Sequence, residues 1–181
     1  YSDPSSLPNL LNFVQEETAI ILNPEEKRAK IGDDIFTGSA YLYLTGHGNI
    51  SLSNDEAFTL REHLKAGAFL HADDNYGMDK SFREQMKKVF PDKEWAELPP
   101  DHEIFSSYFK IDNGLPKVHE HDNKRPQALA LFDEGKMIVL YTFESDLGDG
   151  WEDPEVHQDS ESIREEALKM GTNIIIYALT R

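Results

Sequence analysis

AYLYLTGHGNISLSNDEAFTLREHLKAGAFLHADDNYG, residues 40–77, decides how the fold is read. Ala40 to Leu44 is a compact apolar run suited to a buried strand, and it stops at Thr45-Gly46-His47-Gly48, where glycine lets the chain turn. Ser53-Asn54-Asp55-Glu56 is a capping box, in which a hydroxyl and a carboxylate satisfy the open amides of a helix start. Ala57, Leu60 and Leu64, joined by Phe58, recur at helical spacing; the helix ends near Lys65, with Gly67 as its stop. Ala68 to Ala72 is the next apolar run. Strand, capped helix and strand within about thirty residues make a βαβ unit, whose two strands are expected to be parallel with a right-handed crossover.

On the N-terminal side, Asp3-Pro4 reads as a helix cap followed by a first-position proline, and Leu7, Leu10, Leu11 and Val14 mark one helical face. Thr18 to Leu22 (TAIIL) is a short β-rich run, and Glu25 to Ser39 reads as a loop with a short helix. On the C-terminal side, Ser81 to Val89 is a second amphipathic helix with Phe82, Met86 and Val89 inward. Pro91, Pro99 and Pro100 punctuate a surface passage containing Trp95, and Ile104 to Ile111 reads as no single element. Lys117 to Arg125 is a polar loop. Gln127 to Phe132 and Met137 to Phe143 flank Asp133-Glu134-Gly135-Lys136, a hairpin signal. Glu144 to Asp159 reads as an acidic loop, and Ile163, Ala167, Met170, Ile174 and Ala178 trace a last helix. The expected architecture is a three-layer αβα sandwich with a mostly parallel sheet and a late hairpin, residues 1–181 forming one domain. Tyr1 is not a natural start, so a leader or a short upstream strand is expected to precede it.

Composition narrows the function classes. The 181 residues suffice for one sizeable core, and 39% hydrophobic with 10% aromatic content fits a globular chain. A formal charge of −16 repels nucleic-acid phosphates and anionic lipid, and no apolar run approaches the roughly 20 residues of a membrane helix. The chain has no cysteine, which removes disulfides, thiolate metal sites and a cysteine nucleophile, and leaves the envelope and the cytoplasm both open as compartments.

The succession YLTGHG, LREHLKAGAFLHADDNYG, DHEIF, ESDLGDGWED and ALKMGTNIIIYALT resembles the domain-of-unknown-function family numbered 4159, across nearly the whole chain. That resemblance implies a bacterial protein with a flavodoxin-like fold, from a branch of the class I glutamine-amidotransferase-like group. A more distant similarity is to trehalose-utilisation-type proteins, whose glycine turn and later histidine segment correspond here to KAGAF and DHEIF. In amidotransferases of that group the strand before Asp73 would lead to a nucleophile elbow bearing cysteine. Ala72-Asp73-Asp74 stands there instead, which excludes glutamine hydrolysis by a thiol.

In open α/β sheets ligands bind beyond the carboxyl ends of the strands. That rule brings together Thr45 to Gly48, His71 to Gly77 and Glu144 to Glu152. Asp73, Asp74 and His47 are the candidate catalytic residues, one carboxylate serving as general base. His71 and Asp73 are candidate ligands for a divalent metal, an ion able to activate a bound water. Neighbours in an extended segment face opposite ways, however, and either aspartate also suits a helix cap. Gly46 and Gly48 let backbone amides approach a ligand, while Asp146 and Trp151 offer a carboxylate and an apolar wall, with Asp149 beside them. A solvated acidic loop with Trp151 packed on the core is the competing reading. His119-Glu120-His121-Asp122 has chelating spacing in loop company, and His102 either reaches the cleft or caps a turn. Tyr41 and Tyr43 read as core strand residues.

These features lead to three expectations. The first is a flavodoxin-like domain without the amidotransferase cysteine, binding a small polar ligand or a protein partner at the strand ends. The second is a divalent-metal-assisted hydrolase or isomerase acting on a small polar, sugar-like substrate. The third is a structural module of an envelope-associated assembly. No flavin is expected, because no hydroxyl- and glycine-rich phosphate loop opens a helix after the first strand.

Overall fold

The computed structural model describes residues 4–23, 25–74, 76–119 and 124–181. Asp3, Glu120, His121 and Asp122 lie outside these residues.

The βαβ unit is present and parallel. β1 (Tyr41–Gly46) is followed by α3 (Asn54–Lys65) and β2 (Phe69–Asp74), with Tyr41 opposite Phe69 and Gly46 opposite Asp74. The capping box closes as its residues dictate: Ser53 Oγ accepts from the Glu56 amide, and the Glu56 carboxylate accepts from the Ser53 amide at 2.7 Å. Both strands run further than their apolar residues imply. Thr45 and Gly46 belong to β1, and Asp73 and Asp74 belong to β2 rather than to the turn after it.

α1 (Ser6–Glu17) and α2 (Asp34–Thr37) precede β1, and α4 (Asp79–Val89) follows β2. α1 starts two residues beyond the expected proline, with Ser5 as its cap residue. TAIIL forms no strand. Thr18 ends α1, its hydroxyl donating to the Val14 carbonyl, and Ile21 is 95% exposed; β propensity without a partner ladder leaves the run irregular.

The sheet is mixed rather than mostly parallel. Its order is β1-β2-β5-β4-β3, where β3 is Ala96–Glu97, β4 is Gln127–Asp133 and β5 is Lys136–Phe143. β5 lies parallel to β2, whereas β4 and β3 run antiparallel beyond it. The hairpin signal accounts for this: Glu134 and Gly135 both take positive φ, 47° and 82°, as a two-residue turn of the primed type requires.

The acidic segment after β5 is not a solvated loop. It contains α5 (Leu147–Trp151) and α6 (Pro154–His157), followed by α7 (Glu161–Thr180). Helices flank both faces of the sheet. Leu10, Phe69, Leu140, Trp151, Met170 and Ile174 pack on the side of α1, α5 and α7. Leu64, Leu70, Ala72, Phe82, Val139 and Tyr141 pack on the side of α2, α3 and α4. Among the described residues, no helix is long and apolar enough to cross a membrane.

Candidate functional site

β1, β2 and β5 are parallel, so Gly46, Asp74 and Glu144 arrive at one edge of the sheet. The chain leaves β2 for α4 on one face and leaves β5 for α5 on the other. Between the ends of β2 and β5 the connections therefore part, the kind of place where open α/β sheets receive ligands.

The pleat of β2 separates the two aspartates. Phe69, His71 and Asp73 point towards α5 and α7; Leu70, Ala72 and Asp74 point towards α3 and α4. Asp73, wholly buried, holds the start of α5. Its Oδ2 accepts from the Gly148 amide at 2.8 Å, and its Oδ1 accepts from the Thr142 hydroxyl. Thr142 Oγ1 also lies 3.0 Å from His71 Nε2, and His71 Nδ1 lies 3.1 Å from the Tyr41 hydroxyl. One proton arrangement satisfies every member. Tyr41 donates to Nδ1, Nε2–H donates to Thr142, and Thr142 donates to Asp73. Burial pushes the His71 imidazole down to about 3, so it is neutral at ordinary pH. Burial also raises Asp73 above the usual carboxylate range, against the hydrogen bonds from Thr142 and the α5 amides. His71 and Asp73 thus share a face and are bridged by Thr142, within the protein's own hydrogen-bond chain.

Asp74 has a different setting. It is 5% exposed, and its Oδ1 accepts from the Met78 amide at 3.3 Å. Burial pushes this carboxyl up to about 6, with the charges of Asp79 and Glu144 pushing the same way and the Tyr141 hydroxyl opposing them. Tyr141 donates to Asp79 Oδ1 at 3.1 Å, and Arg83 Nε bonds the same oxygen at 2.6 Å. The Arg83 guanidinium lies over the Tyr141 and Phe143 rings, 5.4 Å and 5.2 Å from their centroids.

Glu144 follows the last residue of β5, and its charge acts on the Asp74 carboxyl. It is buried, paired with Lys117 at 3.1 Å, and sits at φ 58°, a left-handed conformation that non-glycine residues rarely adopt. Asp146 repeats this conformation two residues on, so the turn from β5 into α5 is strained twice. Such strain concentrates at functional turns, and apolar periodicity does not encode it, so Glu144 did not stand out in the sequence; Arg83 did not because its ring contacts join distant segments.

The other candidates are distributed around this edge. Gly46 has φ 150°, and a side chain at Gly46 or Gly48 would meet open space, so backbone approach is unobstructed there. His47 is exposed on the same turn, its carbonyl next to Gly77. Asp146 is buried, and Asp149 lies within α5. Trp151 lies under the edge rather than beside it: wholly buried, it donates from Nε1 to the Ala167 carbonyl at 2.8 Å and makes tilted ring contacts with Tyr43 and His71. His102 caps a 3-10 turn at Glu103–Phe105 through the Ile104 amide. Of the His-x-His segment, His119 is described, and it meets Asp149 and His157. An apolar groove of about 420 Å³ runs along β1, past Leu42, Leu44, Ile50 and Leu52, on the face that carries Asp74.

The sequence matches the family described as Domain of unknown function (DUF4159) over residues 1–179. The chain belongs to this family. No curated protein matches it. This DUF4159 domain is an α/β unit with a five-stranded mixed sheet flanked by helices, with Asp74 and Glu144 at its strand ends.

Proposed function

We propose that this DUF4159 domain binds a small polar ligand in the crevice between the ends of β2 and β5, with Asp74 and Glu144 as the groups that meet it. The observation that supports this most is that two buried, electrostatically linked carboxylates stand at the ends of neighbouring strands where the connections part to opposite faces of the sheet. Glu144 is balanced by Lys117 and Lys124, whereas the carboxyl of Asp74 is raised by burial, a cost that a fold tolerates most readily where the group has a task. The ligand class follows from the lining. Two carboxylates accept hydrogen bonds, so they suit a ligand rich in hydroxyl or ammonium donors, as a sugar-like molecule is. The turn carrying Gly46, His47 and Gly48 borders the crevice, while Asp73, His71 and Thr142 form the support beneath it.

The same reading includes chemistry. A carboxyl that changes charge near pH 6 takes a proton from a bound hydroxyl at neutral pH, the act a hydrolase or isomerase needs of its base. The fold that accompanies this reading is flavodoxin-like and related to the class I glutamine-amidotransferase group. Three parallel strands with helices on both faces support it, and the antiparallel β4 and β3 depart from it.

A thermal-shift screen of neutral sugars, sugar acids and polyamines tests the proposal, because a ligand of the native state raises the melting temperature. Hits are expected on the unaltered protein, lost in Asp74→Asn and Glu144→Gln, and kept in Glu84→Gln on the exposed side of α4. Hits that survive both crevice substitutions would place the ligand elsewhere. A screen without hits would favour a structural or partner-binding module.

A further inference from the structure

We propose that His119, Asp149 and His157 form a site for one divalent transition-metal ion of the zinc type, independent of the ligand crevice. The three residues come from separate segments: the passage before β4, α5, and the last position of α6. Their donor atoms all lie within 4.8 Å of one another. His119 Nδ1 stands 3.1 Å from Asp149 Oδ2, and His157 Nε2 stands 3.4 Å from Asp149 Oδ1. Ligands held at 2.0–2.1 Å around a tetrahedral ion stand about 3.3–3.5 Å apart, close to the two Asp149 spacings, and the donors draw together from within 4.8 Å to reach it.

The donor chemistry selects the ion. Two imidazole nitrogens and a carboxylate suit zinc and its neighbours, whereas magnesium and calcium favour all-oxygen sets. A second carboxylate, Glu152, has Oε2 3.1 Å from the same His157 nitrogen and holds that imidazole towards Asp149. Asp149 and Glu152 are buried, at 5% and 2%, while the His119 side chain is 42% exposed, which gives an ion a path inward.

The frame around the donors is fixed. Val118 and His119 donate their amides to the Ser145 carbonyl, tying that passage to the turn after β5. Ser5 donates to Glu152, Asn9 donates to the Trp151 carbonyl, and Arg164 donates to the Glu152 carbonyl at 2.6 Å. Helices α1 and α7 thereby hold α5 in place, and such outer contacts are what orient metal ligands.

The same distances also fit hydrogen bonds between imidazole and carboxylate, so the ion itself must be measured. The full chain, stripped with a chelator and dialysed, is titrated calorimetrically with zinc chloride, and separately with magnesium and calcium chloride. One equivalent of zinc is expected to bind at micromolar concentration or tighter, raising the melting temperature, with no binding of the other two ions. His157→Gln and His119→Gln are expected to weaken zinc more than about 10-fold, beyond the smallest losses seen for outer partners alone. Their metal-free melting temperatures establish that both variants fold. Absence of zinc binding, or affinity in both variants equal to that of the unaltered protein, would overturn the proposal. So would binding that survives His157→Gln and disappears in His121→Gln, which would assign the ion to the His-x-His pair.

Discussion

Asp73 and Asp74 show how little separates two roles at the residue scale. One step along a pleated strand sends the first into a hydrogen-bond chain and the second into a crevice. Their neighbour His71 opposes Asp74 in its response to pH. The Asp74 carboxyl is raised from 3.8 to about 6, so the folded state holds a proton that the unfolded chain has released. Stability from this group is therefore present below pH 4 and lost as pH rises to 6. Asp74→Asn should remove that loss, gaining about 1–3 kcal/mol over wild type at pH 7.5 and little at pH 4, as read by urea unfolding at both pH values. The His71 imidazole is lowered from 6.5 to about 3, so the unfolded chain takes up a proton that the folded state refuses. That contribution is complete above pH 6.5 and declines as pH falls towards 3. Nitrogen NMR of His71 should show a neutral ring with its proton on Nε2 down to pH 4.5. A midpoint near 6.5 would contradict the proton arrangement assigned to Tyr41, Thr142 and Asp73.

At the scale of elements, α5 decides where the crevice lies, and it is set by close packing against α7. A Cβ added at Gly150 would meet the Ala167 Cβ at 2.5 Å and the Val118 side chain at 3.1 Å. Gly150→Ala should cost about 1–3 kcal/mol, seen as a lower urea midpoint, and should weaken ligand and zinc binding together because α5 shifts. Unchanged stability would mean that α5 is not fixed by this contact. The elements differ in how openly the sequence declares them. Ser53 and Glu56, three residues apart, announce α3; Glu134-Gly135 announces the turn between β4 and β5. Those signals are local, and they hold. α5 is hidden because Gly148 and Gly150 read as loop residues, yet at Gly150 the missing side chain is what the helix–helix approach requires. TAIIL fails for the converse reason: its propensity is high and its ladder is absent.

For the molecule as a whole, the strand-end rule located the edge from sequence, since only the order of strands and helices was needed. The partners across that edge were out of reach. The charge of Glu144 acts on Asp74, and His119 meets His157, through approaches between distant segments that no local spacing records. The mixed sheet has the same origin: the hairpin was legible, but not that β5 would enter beside β2 and leave β4 and β3 antiparallel outside it. The net charge of −16 fits an edge that attracts donors and cations and turns phosphates away.

The most direct test is calorimetric affinity of the strongest screening hit for the unaltered domain and for Asp74→Asn, at pH 5 and pH 7.5. Asp74 is mostly charged only above about pH 6, and the charged form is the better acceptor, so wild-type affinity should rise between the two pH values. In Asp74→Asn, affinity at pH 7.5 should fall at least about tenfold, the loss of one charged hydrogen bond, and its pH dependence should flatten. Equal affinity and an equal pH profile in the two proteins would contradict the account.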